Sequence, residues 1–337
     1  MKFHICGMGA IPASVLCLLG NGPSIAQKAY ITNSDSNNVS VIETATNTVI
    51  ATTAVGKFPQ GIAVSPDGRE VYVANELSNT VSVIETAKDK VTATIPVGIE
   101  PAGVAVSPDA QKVYVTNFGF GSKSVSVINT ARNRVTARIP VGIGPVGVAV
   151  SPDGRKVYVA NYGSMSVSVI NTARDRVTAR IPVDTHPVVE VAVSPDGRKI
   201  YVTSLGANTV SVIDSATNKV TTIIPVGIDP IGLAVSPDGR NLYVANSGST
   251  GKPGTVSVIA TANNTVTATI PVGTSPGGLS VNPDGSKIYV ANAASNNVSV
   301  IDTASKKVIA TISVGRHPVA LGLFVQPTPK FPRTLQK

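Results

Sequence analysis

Between Val146 and Val183 the chain reads VGVAVSPDGRKVYVANYGSMSVSVINTARDRVTARIPV. Val, Ala, Ile, Tyr and Thr alternate in four short runs, separated by Ser-Pro-Asp-Gly, by a Gly/Ser stretch and by Ala-Arg-Asp-Arg. Period-two alternation between turn signals predicts four antiparallel strands, each with one buried face. A single such sheet would leave that face wet, and the chain repeats the unit so that sheets can cover one another. The Tyr of the second run recurs at Tyr30, Tyr72, Tyr114, Tyr158, Tyr201, Tyr243 and Tyr289, at spacings of 42 to 46 residues. Seven four-stranded units at this period predict an all-β, seven-bladed β-propeller around a central channel.

The units are out of phase with the termini. Inner strands of the G-x-A-V-S-P type begin near Gly61, Gly103, Gly147, Val191, Gly232 and Gly278, but none precedes Tyr30. The pattern Pro318-Val319-Ala320-Leu321-Gly322-Leu323-Phe324-Val325 supplies the missing strand, so a C-terminal strand should complete the first blade and close the ring. This places the propeller at residues 27–326. Residues 327–337, with three prolines and three basic side chains, read as a flexible tail.

Composition changes the picture at the other end. Lys2, an apolar run from Gly9 to Gly20 and the small residues Ser24 and Ala26 read as a secretory signal peptide over residues 1–26, too short to span a bilayer. Export to the periplasm, the cell surface or the medium is therefore expected. Cys6 and Cys17 both fall in this leader, and Leu16 before Cys17 does not suit lipid attachment. The rest has no thiol, which excludes disulfides, CxxCH haem attachment and Cys-ligated metal. Aromatics are 4% of the chain and Trp is absent, so the core must be built from small β-branched side chains.

The motifs YITN at Tyr30, YVAN at Tyr72, YVTN at Tyr114, YVAN at Tyr158, YVTS at Tyr201, YVAN at Tyr243 and YVAN at Tyr289 are each followed by V-S-V-I and then I-P-V-G or a close variant. In these the sequence resembles the YVTN β-propeller repeat proteins, which are surface-layer-like and exported. The resemblance implies the fold and leaves function open, because such propellers serve many roles.

Repeated residues read as scaffold. In Ser65-Pro66-Asp67-Gly68 and its copies, Pro fixes φ, Asp caps the backbone and Gly takes positive φ. The Asn after Tyr-Val-Ala should tie down the following loop. Connections between strands one and two and between three and four share one face, which gathers most of the basic residues, among them Arg69, Arg132, Arg134, Arg155, Arg174, Arg176 and Arg198. That face could hold an anionic polymer, acidic lipid headgroups or nucleic acid. Interleaved Asp residues and missing aromatics oppose sequence-specific nucleic-acid recognition, and a solvated rim is the plain alternative.

The opposite face carries the loops in which the repeats differ, where ligand contacts on a rigid frame are expected. Phe118 and Phe120, in a lengthened loop, and Tyr162 are candidates for a surface that binds a protein or glycan. The junction Val183-Asp184-Thr185-His186-Pro187-Val188-Val189-Glu190-Val191 departs most from V-G-x-x-P-x-G. One residue is inserted, which predicts a bulge peculiar to this strand. His317, Glu100 and Asp229 hold the position of His186 in other blades. Asp184, His186 and Glu190 could ligate a divalent cation, or with His317 could serve a channel-mouth hydrolase or lyase of lactonase type. No cofactor is otherwise expected, no transmembrane segment follows the leader, and a monomer is expected.

Overall fold

The repeat folds as its pattern requires: Pro145–Val150, Lys156–Asn161, Ser166–Asn171 and Arg176–Pro182 pair antiparallel in that order, with Tyr158 between Ala149 and Val169. A computed structural model describes residues 27–183 and 188–327, and over these the chain forms a ring of seven such blades. The expected leader, the tail beyond Pro327, and Asp184 to Pro187 lie outside the described residues.

The one-buried-face expectation is corrected for the two middle strands. In Lys156–Asn161 every residue after Lys156 is buried, whereas Arg176–Pro182 at the rim alternates. Each blade has a neighbour on both faces, so its middle strands are apolar on both. Tyr158, Val167, Val169 and Ile181 of one blade pack against Val188, Val191, Ile200 and Ile213 of the next. Burying each such side chain is worth roughly 1.5–3 kcal/mol, and repetition of this seam around the ring makes a large core from β-branched side chains and one buried tyrosine per blade.

Near the axis the inner strands come close enough to demand glycine. A Cβ at Gly61 would lie 2.1 Å from the Ala102 carbonyl oxygen, and one at Gly278 would lie 1.9 Å from that of Ala320.

The first blade has three strands, Lys28–Asn33, Asn38–Glu43 and Thr48–Ala54, and the C-terminal segment supplies the fourth. Asn33 bridges Pro318 and Ala29 bridges Val325; the amide of Tyr30 donates to the Phe324 carbonyl at 2.9 Å, and that of Val319 to the Thr32 carbonyl at 3.0 Å. The segment is no plain strand. It leaves the first blade at Leu321 and runs parallel to Pro59–Val64, whose Ile62 and Val64 amides donate to the Leu321 and Leu323 carbonyls at 2.8 and 2.9 Å. Gly322 makes the excursion at φ +113°, in a space where a Cβ would lie 2.5 Å from the Ile62 oxygen. One short segment is thus stitched to two blades.

Candidate functional site

On the loop face each of the six described junctions between blades places one residue, just before a proline, in the left-handed region: Phe58, Glu100, Gly144, Asp229, Ser275 and His317, with φ between 48° and 60°. Such a backbone disfavours bulky residues. The cost is offset by capping, because the amides of Phe58, Glu100, Asp229 and His317 donate to the Oδ1 atoms of Asn37, Asn79, Asn208 and Asn296 at 2.8–2.9 Å. Glu100, Asp229 and His317 are therefore equivalent, as expected. The sequence reading missed Phe58 at the same position, which packs on His317 with ring centroids 6.5 Å apart; His317 Nδ1 also lies 4.0 Å from Asp35. Glu76, nearby, has its carboxyl pushed above the ordinary range chiefly by burial. The charge of Glu100 adds to this, and a 2.8 Å hydrogen bond from Gln60 opposes it.

Phe118 meets Tyr162 of the following blade edge-to-face, centroids 6.2 Å apart at 81°. The Phe118 ring also lies over the bare Gly144. Phe120 is fully exposed, and the junction side chains Ile99 and Ile143 beside this pair are exposed as well. Gly119 and Gly163 carry no side chain where a Cβ would press on those isoleucines. Three consecutive blades thus present one apolar and aromatic arc.

The repeated Asn does more than tie the next loop. The Asn161 side chain accepts from the Gly142 amide at 3.1 Å and donates to the Ser166 carbonyl at 3.0 Å and the Ser168 hydroxyl at 3.1 Å, joining a blade's entry to its third strand. Ser204 replaces this Asn in the blade of Glu190. The hydroxyls of Ser204, Thr209 and Ser211, at the sites that pair with the Asn elsewhere, are buried there without partners among the described residues.

Glu190 stands in the innermost strand, Val188–Val193. Val188 pairs with Ser204 as Pro145 pairs with Asn161, so the inserted residue lies upstream of the strand. The expected special bulge is corrected accordingly: the register shift between Val188 and Val191 recurs in the five other regular inner strands, because the glycine-level residue bends every one of them. Glu190 therefore occupies the glycine position itself. Its amide donates to Thr203 Oγ1 at 3.0 Å, and that hydroxyl donates to the Ile231 carbonyl of the next blade at 2.9 Å. Its side chain lies over Gly147, where an added Cβ would be 2.7 Å from Glu190 Oε1.

Glu190 lines a channel cavity of about 540 Å³ that opens at the Ser-Pro-Asp-Gly end, between Pro66, Pro108, Pro152 and Pro195. Burial pushes its carboxyl up to about 7, against a 3.1 Å hydrogen bond from the Val191 amide to Oε1 that pulls it down. His317 is not among the cavity's lining residues. The structure thus places Glu190 and His317 at different sites, while His186 and Asp184 lie outside the described residues. Among the described residues, no three His, Cys, Asp or Glu side chains gather in a metal-holding arrangement.

The basic face is partly consumed by structure. Lys28, Lys112, Lys156, Lys199 and Lys287, at the start of second strands, donate to turn carbonyls of the next blade, namely Thr86, Thr172, Ser215, Thr261 and Thr44, at 2.8–3.0 Å. These inter-blade clips span about 60 residues or close the ring, and nothing local in the sequence announces them. Lys28 also pairs with Asp89 at 2.7 Å, with side chains 16% and 14% exposed. Lys28→Met is expected to cost about 2 kcal/mol in a denaturant titration, since it strands the Asp89 carboxylate as well. Arg69→Ala, which removes a 3.8 Å pair at the exposed rim, should leave the midpoint unchanged.

A closed ring of seven four-stranded blades with repeated scaffold turns defines a seven-bladed β-propeller. The sequence model of the YNCE-like beta-propeller family matches residues 8–120 and again 121–241, and the chain belongs to that family. The model of the 7-bladed lactonase propellers matches residues 231–311. Hydrazine synthase of Kuenenia stuttgartiensis is similar at TM-score 0.71 and 25% identity, over 78% of this chain and 88% of that one. A functionally unknown protein from Desulfotomaculum acetoxidans DSM 771 shares the fold at TM-score 0.75 and 17% identity, over 88% of this chain and 100% of that one. No curated protein matches the chain. Among the described residues, no helix is long and apolar enough to cross a membrane.

Proposed function

We propose that this propeller is an exported, non-catalytic binding protein that docks a protein or glycan on its loop face. The observation that carries the reading is the arc of Phe118, Tyr162, Phe120, Ile99 and Ile143, an exposed apolar surface on a rigid frame. Aromatic anchors of this kind supply contact area at low entropic cost. The channel-mouth hydrolase or lyase reading has less support, because Glu190 and His317 stand at different sites and the lactonase match covers neither. Binding of anionic polymer or nucleic acid by the basic face is weakened by the lysine clips.

The test combines envelope pull-downs and a glycan array with the mature chain and a Phe118→Ala/Phe120→Ala variant. Specific binders should lose at least tenfold affinity for the variant while its melting temperature stays put. Equal binding by both would reject the arc. Fractionation of the host should find the protein outside the cytoplasm with Gln27 as its first residue, and a cytoplasmic protein starting at Met1 would reject export.

A further inference from the structure

The channel cavity opens away from the loop face, so it is independent of the arc just described. At about 540 Å³ it lies in the range of small-molecule sites. Its walls are the Val and Ala rows of five inner strands, its rim is proline, and the closing segment adds Leu323 and Val325. Among the described residues, Glu190 is the single ionisable residue lining it, and no Lys, Arg or His lines it.

The Glu190 carboxyl is more than nine-tenths buried. Among the described residues it receives one hydrogen bond, from its own neighbour Val191 at 3.1 Å, and no cation approaches it. A carboxylate can accept about four hydrogen bonds, so most of its capacity is unused. Isolating such a group in an apolar setting is costly. The cost is incurred at a level of the ring where the other regular inner strands carry glycine.

We propose that this cavity binds an amphipathic amine, an apolar body bearing one protonated nitrogen, with Glu190 as the counter-ion. An ammonium group supplies both the missing charge and the missing donors, and the hydrocarbon walls accept the body. An anion would be repelled, and a purely apolar guest would leave the carboxyl as stranded as before. Among the described residues, the turns whose prolines line the mouth carry Asp67, Asp109, Asp153 and Asp196, with Arg69, Arg155 and Arg198 beside them. Hydrogen bonds from Ser107, Ser151 and Ser194 hold Asp109, Asp153 and Asp196 below the ordinary carboxylate range, so they stay ionised from pH 5.5 upward. Between pH 5.5 and 8, Glu190 is thus, among the described residues, the lining group whose charge changes.

Calorimetry with cyclohexylamine, cyclohexanol and cyclohexanecarboxylate, three probes of one shape, tests the proposal on the full chain. At pH 8 the amine should bind at least tenfold tighter than the other two, and its affinity should fall at least tenfold at pH 5.5, where the amine keeps its proton and the carboxylate gains one. Glu190→Gln should lose the amine's advantage while still binding cyclohexanol as the parent does. Should the variant fail to fold, the two-pH comparison on the parent decides alone. Equal affinity for amine and alcohol, preference for the carboxylate, pH-independent amine binding, undiminished amine binding by a folded Glu190→Gln, or no binding of any probe would each overturn the assignment.

Discussion

A chain ending at His317 is expected to show no cooperative thermal transition, whereas one ending at Pro327 should melt within about 2 °C of the full chain. The first truncation removes Phe324, which is fully buried, and emptying a Phe site alone costs roughly 3–5 kcal/mol. It also strips the partners of Thr32, Tyr30, Ile62 and Val64, four backbone positions bonded to Val319, Phe324, Leu321 and Leu323. Each buried group left unpaired adds about 1–3 kcal/mol. The total, about 7–17 kcal/mol, matches the 5–15 kcal/mol that typically holds a domain together. Circular dichroism melts of the two truncations decide the matter, and a native-like transition in the shorter chain would mean that the ring does not depend on its closing segment.

Replacing Glu190 with Gln is expected to stabilise the ligand-free protein by about 3 kcal/mol at pH 8 and by almost nothing at pH 4. The sign follows from proton binding. The folded carboxyl titrates at about 7 and the unfolded one at 4.5. Below the lower value both states hold the proton and the group is neutral in the balance. As pH rises the unfolded chain releases its proton first, so the folded state loses ground until pH passes about 7 and the penalty levels off. A gap of that size corresponds to about 3 kcal/mol at 1.36 kcal/mol per pH unit. Urea titrations of parent and variant at pH 4, 6 and 8 should therefore diverge with pH. Parallel curves would show that the side chain is not held as an uncompensated buried acid.

The blades were legible because their signals are local: alternation, a fixed Tyr period and turn residues whose backbone needs are known. Even ring closure was readable from Pro318 to Val325, since a missing inner strand must be supplied from elsewhere. Glu190 was readable at the glycine level of its strand, and what failed was the place of the inserted residue. Pro187 invites pairing with Pro145, but it is Val188 that takes Pro145's partner, and the insertion moves into the junction. Which channel mouth Glu190 serves depends on how inner strands stagger around the axis, a relation between blades that no single repeat encodes. The lysine clips were hidden likewise, since counting charge by face treats Lys156 and Arg155 alike although one is bound to Ser215 of the next blade. On the loop face, Phe118 and Tyr162 were identified separately, and only the superposition of successive blades shows that they touch.

The closing segment also sets when this protein can exist. Blade one waits for residues near the end of the chain: Gln326 bonds Lys28 and Gly68, and Gln27 bonds Gln326, across some 260 to 300 positions of sequence. During synthesis the first three strands emerge with an unpaired inner edge and must remain so until Pro318 to Gln326 have left the ribosome. Contacts so distant are slow to form, and an unpaired edge meanwhile invites mispairing. Locking therefore waits for the closing segment, and a message cut before it cannot yield a finished ring.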